Sequence, residues 1–154
     1  EGTSWMDHEF RTSALGESQV GWDWFSVQLD DGSELMLFTL RREDGSIDPS
    51  STGTLIRADG STHPLAVGDF EIVVRDIWTS PTSGASYPAG WELHIPDEGI
   101  ELSVEPLMAD QELRLSFTYW EGAVSVTGEA GGKAISGQGY AELTGYAGSM
   151  QGQF

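Results

Sequence analysis

Trp22-Asp23-Trp24-Phe25-Ser26-Val27-Gln28-Leu29 runs into Asp30-Asp31-Gly32-Ser33 and then into Glu34-Leu35-Met36-Leu37-Phe38-Thr39-Leu40-Arg41. The first segment alternates with period two and reads as a strand, with Trp22 and Trp24 on one face and Asp23 on the other. Asp30-Asp31-Gly32 reads as a turn, because glycine takes positive φ without a steric penalty. The return strand places Leu35, Leu37 and Thr39 on one face and Met36, Phe38 and Leu40 on the other. Two apolar faces imply burial on both sides, or one side turned to an apolar cavity.

The same grammar continues outward from this hairpin. Glu43-Asp44-Gly45-Ser46 and Ala58-Asp59-Gly60-Ser61 are further turn signals, the second between Thr54–Arg57 and a short strand near His63–Leu65. Asp69–Trp78 alternates, with Phe70, Ile72, Val74 and Trp78 together on one face. Thr79–Ala89 reads as a long loop. Trp91–Ile95 and Gly99–Glu105 form the next hairpin, with Trp91, Leu93 and Ile95 inward and Glu92 and His94 outward. Leu113–Tyr119, Ala123–Thr127 and Gln138–Thr144 complete the strands, with Gly131-Gly132 between the last two. Leu107–Glu112 is the one helical candidate. About nine to ten short strands at this spacing predict an all-β barrel or sandwich.

Composition narrows the function classes. At 154 residues the chain fits one domain, 1–154, with a real core. It has no apolar run long enough for a membrane-spanning helix. No basic n-region precedes an apolar stretch near Glu1, so no signal peptide is expected in these residues. The absence of cysteine excludes disulfides, thiolate metal sites and cysteine nucleophiles. Asp and Glu number 25 against 7 Lys and Arg, with Lys133 the lone lysine and a net charge of −18. Such a chain repels phosphate backbones and anionic membrane surfaces, so nucleic acid is not an expected partner. His8, His63 and His94 are scattered, and no metal or cofactor is expected. P-loop, nucleophile-elbow, zinc-protease and dinucleotide fingerprints are all missing.

Three constellations carry chemistry. Ser4-Trp5-Met6-Asp7-His8-Glu9-Phe10 sets ionisable groups between large aromatics. Burial beside indole rings raises a carboxyl pKa, which suits Asp7 as a general acid with His8 orienting or recharging it. Alternatively the aromatics plug a barrel end and Asp7 caps backbone amides. Trp22 and Trp24 form a wall of an apolar cavity, stack on a sugar, or fill the core. Tyr119-Trp120-Glu121-Gly122 and Gly139-Tyr140-Ala141-Glu142-Leu143-Thr144-Gly145-Tyr146 combine aromatics with acids. By alternation Tyr140, Glu142, Thr144 and Tyr146 share a face. That face suits a ligand cavity or an exposed edge.

At these motifs, which run along essentially the whole chain, the sequence resembles the carotenoid 1,2-hydratase (hydroxyneurosporene synthase)-like family. That family includes bacterial lipocalin-like secreted hydrolase proteins, often secreted or periplasmic. The resemblance is to its C-terminal half, the second of two lipocalin-like barrels. It implies an antiparallel lipocalin-like β-barrel and an apolar, isoprenoid-like ligand. An N-terminal lipocalin-like barrel, absent from this chain, would be the partner. It also implies acid-catalysed hydration or cyclisation of terpenoid or polyene double bonds, a lyase or isomerase chemistry needing no cofactor. The family's aromatic-x-Asp motif, whose Asp is the proposed proton donor, falls on Trp5-Met6-Asp7. Trp5 stands where the hydratases carry tyrosine, and Glu9 where they often carry asparagine.

The resulting expectation is a catalytic pair, Asp7 and His8, in a site lined by Trp5, Trp22, Trp24 and Trp120. Glu121 and Tyr140 supply polar contacts. The alternatives are a non-catalytic carrier of hydrophobic ligands, or half of a transport-associated protein, and a carbohydrate-binding jelly roll.

Overall fold

The computed structural model describes residues 2, 4–6 and 15–150. Among these, ten antiparallel strands form one curled sheet, a half-barrel of lipocalin-like type. The strands are β1 Gln19–Leu29, β2 Glu34–Arg42, β3 Thr52–Ile56, β4 Thr62–Ala66, β5 Glu71–Thr79, β6 Ser86–Ile95, β7 Ile100–Pro106, β8 Glu112–Arg114, β9 Thr118–Ala130 and β10 Lys133–Leu143. Their order is β4-β3-β2-β1-β10-β9-β7-β6-β5, with β8 beside β9. The first and last strands therefore pair at the centre, Phe25 opposite Ala141 and Val27 opposite Gly139. A Cβ on Gly139 would lie 2.3 Å from the Ser26 carbonyl oxygen, so that pairing demands a residue without a side chain.

Local chemistry explains the turns. Asp31, Asp44 and Asp59 each precede Gly-Ser, and each carboxylate accepts the backbone N–H of that serine at 2.8–2.9 Å. This Asx-type bond, with the glycine at positive φ, closes three-residue hairpins. Gly131-Gly132, both at positive φ, makes the two-residue turn from β9 to β10.

The concave face holds the core. Phe25, Val27, Leu35, Leu37, Tyr87, Trp91, Leu93, Trp120, Val124 and Leu143 are all buried there. Trp91 packs edge-on to Phe25 with centroids 5.3 Å apart and lies 6.2 Å from Trp120. The two indoles differ in one respect. Trp120 Nε1 donates to the Ala109 carbonyl at 2.8 Å, whereas Trp91 Nε1 is a buried donor without a partner. Trp91→Phe removes an unpaired donor and Trp120→Phe removes a paired one. Urea melts are expected to show Trp91→Phe as the milder change by about 1–2 kcal/mol.

Three local expectations are corrected. Leu107–Glu112 is not helical: residues 107–109 are bends leading into β8. Gln111 fixes that loop, donating to the carbonyls of Met108 and Ala123 and accepting from the Ala123 N–H, so two of these three bonds leave the segment for β9. Leu113–Tyr119 is two strands joined by a tight turn, with the Leu115 N–H donating to the Phe117 carbonyl. Alternation persists across such a turn and hides it. Finally, β6 begins at Ser86, earlier than the expected loop end at Ala89, because Ser86 and Tyr87 pair with Thr79 and Trp78. Among the described residues no helix is long and apolar enough to cross a membrane.

Candidate functional site

The convex face of the sheet is not bare. Register lays side chains across β2, β1, β10 and β9 in rows. One row is Phe38–Trp24–Glu142–Glu121 and the next is Met36–Ser26–Tyr140–Ala123. Gly2, Ser4 and Trp5 lie against this face, with the Trp5 ring edge-on to Trp24 at 6.2 Å. Between these residues and the sheet lies a groove of about 660 Å³. Trp5, Trp24, Ser26, Gln28, Glu121, Gln138, Tyr140 and Glu142 line it, and Leu107 borders it from the β7–β8 loop. Met6, Leu107 and Met108 are large apolar side chains left exposed.

Electrostatics in the groove centre on Glu121. The Tyr119 and Tyr140 hydroxyls hydrogen-bond to its carboxylate. Burial, reinforced by the Glu121 charge, pushes the Tyr119 phenol up to about 12 and raises that of Tyr140. Both tyrosines are therefore fixed as protonated donors. Glu121 and Glu142 sit directly opposite one another on β9 and β10. Like charges so placed cost stability, on the order of 0.2–1 kcal/mol.

The structure divides the residues singled out from sequence. Trp5, Trp24, Glu121 and Tyr140 meet around the groove. Trp22 shares the convex face but packs on Phe38, centroids 6.4 Å apart, outside the groove lining. Trp120 is on the concave face, 1% exposed, and belongs to the core. It alternates out of phase with Glu121, so the two cannot point the same way. Asp7 and His8 lie outside the described residues. The expected common face for Tyr140, Glu142, Thr144 and Tyr146 breaks after Leu143. There β10 ends, Gly145 takes positive φ, and Tyr146 turns inward against Tyr87 at 5.6 Å.

Three buried carboxylates, Asp23, Asp48 and Glu112, were not picked out by sequence. Asp23 accepts from Arg41 Nε and from the Tyr146 hydroxyl, both at 3.1 Å. Arg41 stacks 3.9 Å over the Tyr146 ring and donates to the Thr144 carbonyl. Burial raises the Asp23 pKa against the lowering effect of Arg41 and Tyr146. Glu112 accepts from Ser80 at 2.8 Å, Ser83 at 2.5 Å, Tyr87 at 3.0 Å and Arg114 at 2.9 Å. Burial pushes this carboxyl up, but the four donors outweigh it and hold it below its ordinary value. The inward phase of Asp23 in its strand was the available signal. Glu112 had none, because its serine partners lie far away in sequence. Among the described residues no three His, Asp or Glu side chains are grouped to hold a metal.

The model of the AttH-like family matches residues 1–146. The crystal structure of an AttH protein from Nitrosomonas europaea superposes with a TM-score of 0.77 at 36% identity, over 87% of this chain and 41% of that one. Kievitone hydratase from Nectria haematococca superposes with a TM-score of 0.68 at 21% identity, over 84% of this chain and 40% of that one, a likeness of fold. No curated protein matches. The chain thus spans about two fifths of the length of these solved relatives. The resemblance drawn from sequence to carotenoid 1,2-hydratases is broadened accordingly: the chain belongs to the AttH-like family.

Proposed function

We propose that this is a small-molecule-binding lipocalin-like domain whose ligand site is the convex groove, with an apolar, isoprenoid-like ligand. The observation that carries the reading is the convergence of Trp5, Trp24, Tyr140 and Glu121 on one groove of about 660 Å³. That volume falls within the range of small-ligand pockets, about 300–1,000 Å³. Apolar walls with a few placed polar groups are the usual composition of such sites. The exposed Met6, Leu107 and Met108 add apolar surface to its surroundings.

We further propose acid catalysis of the hydratase or cyclase type, with Asp7 as the proton donor and His8 as its partner. Asp7 follows Trp5 by two positions, and Trp5 borders the groove. A solved protein of the same fold is a kievitone hydratase. In such chemistry the acid protonates a carbon–carbon double bond, and aromatic faces stabilise the cation that forms. In this reading the chain is the counterpart of the second barrel in two-barrel relatives, and a first barrel is a proposed partner.

Titration with isoprenoid alcohols is expected to quench tryptophan fluorescence saturably, with hydrated or cyclised product detected by mass spectrometry. Asp7→Asn is expected to keep the quenching and lose the product. Unchanged turnover in that variant would sink the catalytic assignment. Saturable quenching without product in the wild type would mark a carrier instead. Absence of any saturable quenching would sink the groove as the ligand site.

A further inference from the structure

The groove has a built end. The row Met36–Ser26–Tyr140–Ala123 crosses the convex face, and Leu107 continues it, its N–H donating to the Ala123 carbonyl at 3.0 Å. Ile100, Leu102 and Val104 of β7 are buried on the concave face, so the opposite phase turns Leu107 to the convex side. There it lines the groove, while Trp5 stands against Trp24 on β1. From Ser26 to Leu107 is three inter-strand steps, about 14 Å. A chain of three extended isoprene units has a length of the same order.

Leu107 is 67% exposed, so core packing does not hold it. The backbone around it is nevertheless fixed. Gln111 acts as a substitute strand residue beside β9. Its carboxamide accepts the Ala123 N–H at 2.9 Å and donates to the Ala123 carbonyl at 3.1 Å and the Met108 carbonyl at 3.0 Å. The Gln111 carbonyl accepts the Glu121 N–H at 3.2 Å, and the Ala109 carbonyl accepts the Trp120 indole N–H at 2.8 Å. Gly122 leaves the space that this carboxamide fills, since a Cβ there would collide with it. Gly122 is not at positive φ, so this glycine answers to space and not to backbone conformation.

We propose that Leu107 is the end wall of the groove and limits the length of the chain it accepts, and that Gln111, seated over Gly122, is the positioning residue that holds this wall. This rests on the groove being the site of an isoprenoid-like ligand, as proposed above, and adds which lengths it selects. A longer apolar chain ordinarily binds more tightly, because each further methylene removed from water is favourable. Leu107 denies that gain to a fourth isoprene unit.

The test titrates farnesol, with three isoprene units, and geranylgeraniol, with four, by tryptophan fluorescence. The wild type is expected to bind geranylgeraniol no more tightly than farnesol. Leu107→Ala is expected to raise the affinity for geranylgeraniol relative to farnesol about tenfold, the scale of burying one or two further methylenes. Gly122→Ala and Gln111→Ala release the loop. Each is expected to shift the ratio the same way by about threefold or more, and to add nothing in a Leu107→Ala background. A merely structural role would weaken both alcohols together and leave the ratio unmoved. Leu115→Ala, exposed on the turn between β8 and β9 and outside the groove lining, is expected to keep the wild-type ratio. A wild type that favours geranylgeraniol overturns the wall, as does an unchanged ratio in Leu107→Ala or a shifted one in Leu115→Ala. A shift in Leu107→Ala with none in the loop variants overturns the positioning role, and so does a further shift in the double variants. Gln111→Ala removes atoms and adds none, so it tests that role independently of any disturbance of the sheet by Gly122→Ala. No saturable quenching by either alcohol in the wild type overturns the groove itself as the ligand site.

Discussion

Glu112→Ala is expected to cost about 3–5 kcal/mol, the scale of removing one partner from a buried charge network. Its carboxylate is fully enclosed and accepts from four side chains. Three of those donors, Ser80, Ser83 and Tyr87, lie on or beside the loop between β5 and β6. Ser80 in turn accepts the backbone N–H groups of Thr82 and Ser83, and Ser83 accepts that of Ala85. Alanine strands the Ser80 hydroxyl and the Tyr87 phenol in a buried place and unpins the loop from β8. For a domain of this size the loss corresponds to a fall of about 6–20 °C in melting temperature. Differential scanning calorimetry measures it directly. A fall of less than about 2 °C would mean the network contributes little beyond its own desolvation cost.

Asp23→Ala is expected to have a cost of the same order, about 3–5 kcal/mol, because it leaves the Arg41 guanidinium largely enclosed without its counter-charge. The pH dependence separates the two carboxylates. Glu112 is held below its ordinary value of 4.5, so its contribution is present above pH 4.5 and is lost as pH falls through the lower folded-state value. Asp23 is raised above its ordinary value of 3.8, so its contribution is greatest below pH 3.8 and is lost as pH rises through the folded-state value. Between about pH 7 and about pH 3, Asp23→Asn is therefore expected to lose more stability than the wild type, and Glu112→Gln less. Denaturant melts across that range read both slopes. Parallel curves for the wild type and both variants contradict this assignment.

The groove was half legible in the sequence. Trp5, Trp24, Glu121 and Tyr140 were identifiable as aromatics and an acid in otherwise alternating strands, and they do meet. Trp120 carried the same signal and belongs to the core. Period two says that Trp120 and Glu121 point opposite ways, but not which way is in. In a strand with both faces apolar, such as β2, composition cannot break that tie. Asp23 shows the converse. Its phase opposite Trp22 and Trp24 was plain, yet its burial came only with Arg41 and Tyr146, the latter 123 residues away.

What the sequence determined by itself is local: the strands, from alternation, and the Asp-Gly-Ser turns, from a carboxylate that bonds the N–H two residues on. These interactions close within a few residues, so their chemistry is complete in the local text. The tertiary structure decided which face became core and which became groove. Pairing β1 with β10 set the Phe38–Trp24–Glu142–Glu121 row, and Gly2, Ser4, Trp5 and Leu107 of the loop before β8 came to lie against its neighbourhood. Those contacts join distant segments. Their free energy depends on the burial of both partners at once, which no window along the chain contains.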